Sequence, residues 1–238
     1  FRRVLFRSVD KISKSKGFVP GKFCELVSSQ GIYKFTESFF VKHPEIEAVQ
    51  GAGTGLKITS NAFEQLEKIF KEQPQGGEDV KIIGRSRGQR VYKWINRENI
   101  QINDYLDAYN VLVPEANGTG AIGEVLSTPI IGTPIIGTPI IGHTDTFISV
   151  GKFKTEIEAE SCLKYIKTKF ARTMLGTLKA TQHNPKDTWA NVPLQDFTPE
   201  SDIDWSASIE DIDRQLYRKY NLSDEEIAFI ERTIKPME

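Results

Sequence analysis

The stretch Val80-Lys-Ile-Ile-Gly-Arg-Ser-Arg-Gly-Gln-Arg-Val-Tyr-Lys-Trp-Ile95 reads as two short strands around a polar turn. Val80–Ile83 and Val91–Ile95 are rich in β-branched and aromatic residues, and Gly84 to Gly88 supplies the glycines that a tight reversal needs. Asn110-Val-Leu-Val-Pro114 is a further strand, ended by proline, and Thr146 to Val150 is a buried one. A mixed or antiparallel sheet in the middle of the chain follows from these three stretches.

Helical signals flank the sheet. Ser60 to Glu72 carries Phe63, Leu66, Ile69 and Phe70 at helical spacing, and Gln73-Pro-Gln-Gly-Gly77 stops it. Thr155-x-x-Glu158 is a capping box, in which hydroxyl and carboxylate satisfy free amides of the first turn. Ala159, Leu163, Ile166 and Phe170 then line one face of a helix running to Arg172, with Lys164, Lys167, Lys169 and Arg172 elsewhere on it. Ser208-x-x-Asp211 and Ser223-x-x-Glu226 open two more amphipathic helices. The fold class is therefore α+β, a central sheet closed by C-terminal amphipathic helices.

The chain of 238 residues is 39% hydrophobic and 26% charged, enough for one large domain or a domain with a subdomain. Its two cysteines, Cys24 and Cys162, lack any CxxC spacing, which argues against a cysteine zinc site and for a reducing, cytoplasmic setting. The longest apolar stretch, Val125 to Gly142, is broken by three prolines and makes a poor membrane span. It contains a threefold Thr-Pro-Ile-Ile-Gly repeat (Thr128 to Gly142), which reads as a surface loop. Leu5-Phe-Arg-Ser8 resembles a translated sequencing-adapter end. Residues 1–22 are accordingly assigned to artefact and linker, 23–197 to the main domain, and 198–238 to an acidic helical tail.

A net charge of −1 hides an uneven distribution. Asp79 to Arg97 holds six basic residues against one acid, whereas Asp196 to Glu238 holds twelve acids against five basic residues. Attraction to phosphate depends on a local patch, so the small net charge does not exclude nucleic acid. Arg85 and Arg87 fall on one side of an extended segment, and Arg90, Tyr92 and Trp94 alternate in register. Such a turn suits guanidinium contact with base edges or phosphates, and equally suits a polar hairpin whose aromatic residues are core.

Other chemistry is less well supplied. Gly51-Ala-Gly-Thr-Gly55 and Gly118-Thr-Gly-Ala-Ile-Gly123 lack the strand-to-helix context of a nucleotide loop. Asp79-x-Lys81 is only a fragment of a metal-dependent nuclease pattern. His43, His143 and His183 have no partner spacing. Asn184-Pro-Lys-Asp187 lacks the second proline and the aromatic residue that an adenine methyltransferase tetrapeptide needs to hold a flipped base. No catalytic residue is assigned.

Several stretches, in order, resemble the C-terminal target-recognition (specificity) region of bacterial restriction–modification adenine-specific DNA methyltransferases, the type IIG-like group that includes bifunctional restriction enzymes. They are Phe23-Cys-Glu-Leu-Val-Ser-Ser-Gln-Gly31, Lys81-Ile-Ile-Gly-Arg85 through Arg90-Val-Tyr-Lys-Trp94, Tyr109-Asn-Val-Leu-Val-Pro-Glu115 and Thr146-Phe-Ile-Ser-Val-Gly151. Ala159 to Arg172, Thr181-Gln-His183, Val192-Pro-Leu-Gln-Asp-Phe197, Ile203-Asp-Trp205, Ile212-Asp-Arg-Gln-Leu-Tyr217 and Ile234-Lys-Pro-Met-Glu238 continue the series. In the first stretch, Gln30 replaces the family's usual basic residue.

The resemblance implies a module that reads double-stranded DNA for an upstream methyltransferase domain of the same chain. S-adenosylmethionine would bind that missing domain, with magnesium if a nuclease is fused, and no cofactor would bind this fragment. Lys57, Lys81, Lys93, Lys164, Lys167, Lys169 and Arg172 are the expected phosphate contacts, and Arg85, Arg87 and Arg90 the expected groove contacts. The alternatives are a fragment with its own nuclease centre and a non-catalytic protein-interaction domain.

Overall fold

In the computed structural model, which describes residues 9–15, 18–46, 55–117, 131 and 133–237, the Val80–Ile95 stretch is a hairpin. Strand β1 (Asp79–Ser86) pairs antiparallel with β2 (Gln89–Asn96), in a register that puts Val80 opposite Ile95 and Arg85 opposite Arg90. The reversal takes two residues, Arg87 (φ 48) and Gly88 (φ 80). Two successive positive φ angles define a type I′ turn, whose twist matches that of the flanking strands. Glycine adopts such an angle freely, whereas Arg87 carries a Cβ penalty. The Glu64 carboxylate helps hold it there, accepting from Arg87 N at 3.2 Å and from Ser86 Oγ at 3.0 Å. Arg85 and Arg87 therefore do not share one side of a strand. Arg87 is the turn itself.

The class is α+β, but with two small sheets in place of the single central one expected. The first has the order β2-β1-β5, with β5 (Ile141–His143) parallel to β1. The second has the order β4-β3-β6, all antiparallel, from β4 (Ile135–Gly137), β3 (Tyr109–Pro114) and β6 (Phe147–Phe153).

The described part of the Thr-Pro-Ile-Ile-Gly repeat is not a surface loop. Ile135-Ile-Gly137 of one copy enters the second sheet, and Ile141-Gly142 of the next enters the first. The chain crosses between sheets through Ile140, at φ 65. Ile131, from the preceding copy, is fully buried. Ile83, Leu112 and Phe147, with Ile135 and Ile141 against them, form a small core where the sheets meet.

Two larger cores lie on either side. One gathers Tyr33, Phe35, Phe39, Ile58, Phe63, Phe70, Val80, Ile82 and Ile95 beneath the hairpin. The predicted helix from Ser60 to Glu72 is here reduced to one turn, α2 (Ala62–Gln65), following α1 (Glu37–Lys42). Its apolar residues still point inward, but Lys71 leaves the helical path to bridge Trp94 on the outer edge of β2.

The other core unites residues from both ends of the chain. Ile12, Phe23, Val111, Val150, Tyr165, Phe170, Trp189, Ile203, Leu216 and Ile230 all belong to it. Two expected boundaries fall with that finding. Residues 9–13 are helical rather than linker, with Ile12 buried and Lys11 Nζ 3.2 Å from Glu226. Nor is 198–238 a separate tail, because cutting at 197 would divide one hydrophobic core. The first eight residues lie outside the described part.

The capping boxes form as expected. In α3 (Glu156–Lys167), Thr155 N donates to Glu158 Oε2 at 3.0 Å and Glu158 N donates to Thr155 Oγ1 at 3.3 Å. Ser223 and Glu226 do the same for α6 (Asp224–Thr233), and Ser208 caps α5 (Ile209–Lys219). The helix expected to continue to Arg172 instead breaks at Thr168, whose extended ψ of 149 ends α3 and caps α4 (Lys169–Gly176). Asp213 of α5 explains the new start. Its carboxylate accepts from Lys169 N at 3.0 Å and Phe170 N at 2.9 Å, satisfying amides that no helical carbonyl could reach.

Candidate nucleic-acid interface

Period-two alternation sorts the hairpin into two faces. Val80, Ile82 and Ile95 point into the core beneath, together with half-buried Val91. On the opposite face the register aligns Arg85 with Arg90, Ile83 with Tyr92, Lys81 with Trp94, and Asp79 with Asn96. Cations and aromatic rings therefore alternate along one side. Lys81 Nζ lies 4.5 Å from the Tyr92 ring centroid and 5.7 Å from that of Trp94, and the Arg90 guanidinium lies 5.5 Å from that of Phe147. These are cation–π distances.

Arg90 also donates through Nη2 to the Thr133 carbonyl. Partial burial of the guanidinium, although the residue as a whole is exposed, and then the charge of Arg85 directly across the ladder hold it below the ordinary value. Like charges placed opposite each other on a ladder repel. No ion pair to Arg85, Arg87 or Arg90 occurs among the described residues, and all three are exposed. Tyr92 is 40% exposed beside them.

The remaining predicted contacts do not join this face. Lys93 points to the other side of β2, where its ammonium sits 2.5 Å from Glu72. Lys57 is exposed at a bridge to Lys34, and its aliphatic stem covers Gly31, where a Cβ would lie 2.8 Å from Lys57 Cδ. Lys164 has its ammonium wrapped by the carbonyls of Trp205 (2.7 Å), Ala207 (3.2 Å) and Ser206 (3.3 Å). Lys169 is ion-paired to Glu231. Lys167 is half-buried, and burial lowers its pKa.

Arg172 is the plainest correction. It is 1% exposed, with Nε donating to Lys167 O (3.1 Å) and Nη2 to Lys235 O (2.7 Å), so it holds the C-terminal segment in place. Burial depresses its pKa to about 10. The stretch Lys164–Arg172 thus belongs to a different core from the hairpin and directs most of its charge at that core's own carbonyls and carboxylates. The expected second half of a basic surface is not available there.

The histidines gain partners that sequence spacing could not show. His143 is buried, with Nδ1 2.8 Å from Thr144 O and Nε2 2.9 Å from Ser149 Oγ, and Tyr33 stands edge-on at 4.7 Å. A serine–histidine contact this deep is closed to substrate and ties β5 to β6. His183 is half-exposed, with Nδ1 2.9 Å from the nearly buried Glu115 carboxylate. Asp79 of the nuclease-like fragment is engaged by the amides of Gln75 and Gly76. The glycine loops at 51–55 and 118–123 lie outside the described residues, Gly55 excepted.

No protein-family model, curated protein sequence or solved structure significantly matches this chain. Among the described residues, no helix is long and apolar enough to cross a membrane.

Proposed function

We propose that the chain is the DNA-reading module of an adenine-specific, S-adenosylmethionine-dependent methyltransferase of a restriction–modification system, acting through the β1–β2 ribbon. One observation carries the reading. Three exposed arginines, with no ion pair among the described residues, gather at the tip of an edge hairpin, two facing each other across the ladder and the third in the turn. A two-stranded ribbon fits the major groove, where arginine forks bind guanine O6 and N7. The ordered resemblance along the chain supplies the enzyme class, and Lys81 supplies a phosphate contact behind the tip. Methyl transfer, with its cofactor, would belong to the upstream domain.

The test is replacement of Arg85, Arg87 and Arg90 by alanine, with binding to a randomised duplex pool followed across salt. Removing each bidentate arginine–base pairing should reduce discrimination by roughly 1–3 kcal/mol, and the salt dependence should flatten as fewer phosphates are neutralised. Unchanged affinity and unchanged sequence choice would overturn the proposal. The Lys164→Met and Lys169→Met changes, in contrast, should leave DNA affinity as it is.

A further inference from the structure

The ribbon face that begins at the arginines does not end on a flat surface. It runs through Tyr92 and Lys81 to Trp94, then to Asp79 and Asn96. At that end lies a cleft of about 280 Å³ walled by Trp94, Asn96, Asn99, Gln75, Lys68 and Lys71. The local chain path builds it. The bridge from Lys71 to Trp94 brings the preceding segment against the edge of β2, while Asp79 draws in the amides of Gln75 and Gly76 to close one side.

The lining has a particular chemistry. Trp94 offers an indole that is not fully buried, unlike Trp189 (1% exposed) and Trp205 (8%). Asn96 commits its Oδ1 to Glu98 N at 2.9 Å, leaving its NH2 group without a partner among the described residues. The Asn99 carboxamide has no partner among them either. Lys71 Nζ sits on Lys68 O at 2.6 Å, which places a cation at the rim. An aromatic wall, carboxamides able both to donate and to accept, and a cation beside them match a planar heterocycle with an amide-like edge that is attached to phosphate.

We infer that this cleft binds a single unpaired nucleobase, stacked on Trp94 and hydrogen-bonded by Asn96 and Asn99, at the inner end of the track that the ribbon arginines open. The inference rests on the DNA reading and adds to it a site for a base outside the stack. Stacking on an aromatic side chain tolerates any base, because each has a π face, and the carboxamides supply the selectivity. Lys81, whose ammonium lies 4.5 Å from the Tyr92 ring centroid and 5.7 Å from that of Trp94, lies along the route of the backbone phosphates.

The experiment compares the binding of two short duplexes to the whole chain at low salt. One is fully paired, and the other is identical except for one unpaired 2-aminopurine. The unpaired duplex should bind about tenfold tighter, equivalent to about 1.4 kcal/mol, with the 2-aminopurine emission quenched on binding. Asn99→Ala should remove most of that preference while leaving the paired duplex bound as before, Trp94→Leu should lower the ratio of unpaired to paired binding, and Trp94→Phe should keep it. Replacing Arg85 and Arg90 should weaken both duplexes equally. Equal binding of the two duplexes by the wild type, or a preference that survives both Trp94→Leu and Asn99→Ala, would overturn the cleft while leaving the ribbon reading in place. Failure to bind either duplex would overturn both.

Discussion

Acidification should loosen this protein at the joint between its sheets, through His143. The imidazole is fully enclosed, donates through one nitrogen to Thr144 O and meets the Ser149 hydroxyl with the other. Burial lowers its pKa from 6.5 to about 4. A base whose folded pKa is depressed favours the neutral form, so the unfolded chain binds the proton first as pH falls. The stability tied to a neutral His143 is therefore complete above pH 6.5 and drains away as pH falls toward 4. The full difference is worth about 3 kcal/mol, of which about 2 kcal/mol has gone by pH 5. Other carboxylates titrate in the same range, and the variant His143→Asn isolates the histidine's share. Asparagine keeps a donor near Thr144 O but has no proton to gain. Urea unfolding followed by tryptophan fluorescence at pH 7 and pH 5 measures both chains. His143→Asn should start less stable, yet lose about 2 kcal/mol less than the wild type over that interval. Equal losses in the two chains would refute the argument.

Asp213 should act in the opposite sense. Burial raises its carboxyl from 3.8 to about 6 despite the two amides it accepts from, so the folded state takes up that proton first and gains stability as pH falls from 6 to 3.8. Asp213→Asn should abolish that gain, on the order of 1 kcal/mol at pH 5 relative to neutral pH, and a flat difference between the two chains across this range would contradict it. Gly142→Ala tests whether the repeat is structural, because a Cβ there would meet Ile82 Cδ1 at 2.9 Å and Tyr33 at 3.1 Å. It should cost about 1–3 kcal/mol in the same urea assay, whereas a solvated loop would absorb the change without loss.

Local signals in the sequence were enough for elements whose formation is local. The hairpin could be read because strand-formers flank a glycine-bearing turn, and the starts of α3, α5 and α6 because each cap satisfies amides of its own first turn. The alternation of Arg90, Tyr92 and Trp94 along β2 was equally legible, since period two is a property of any strand. The alignment of Arg85 with Arg90 needed the register, which a two-residue turn fixes. Arg87 was misplaced because its position depends on which residues form that turn.

What the amino-acid order determined by itself, then, was the class, the hairpin, the caps and the clustering of charge between Asp79 and Arg97. Only the tertiary structure decided how that charge is used. Arg172 and Lys164 look like surface cations in the sequence, but the C-terminal helices fold back over them and their charges answer orphaned carbonyls. The same folding back turned an acidic tail into part of a core. Identical Ile-Ile-Gly segments became strands of two different sheets, because strand pairing depends on the partner that reaches them and not on their own composition. The cleft beside Trp94 arose in the same way, from chain segments that meet only when Lys71 pairs across the edge of β2.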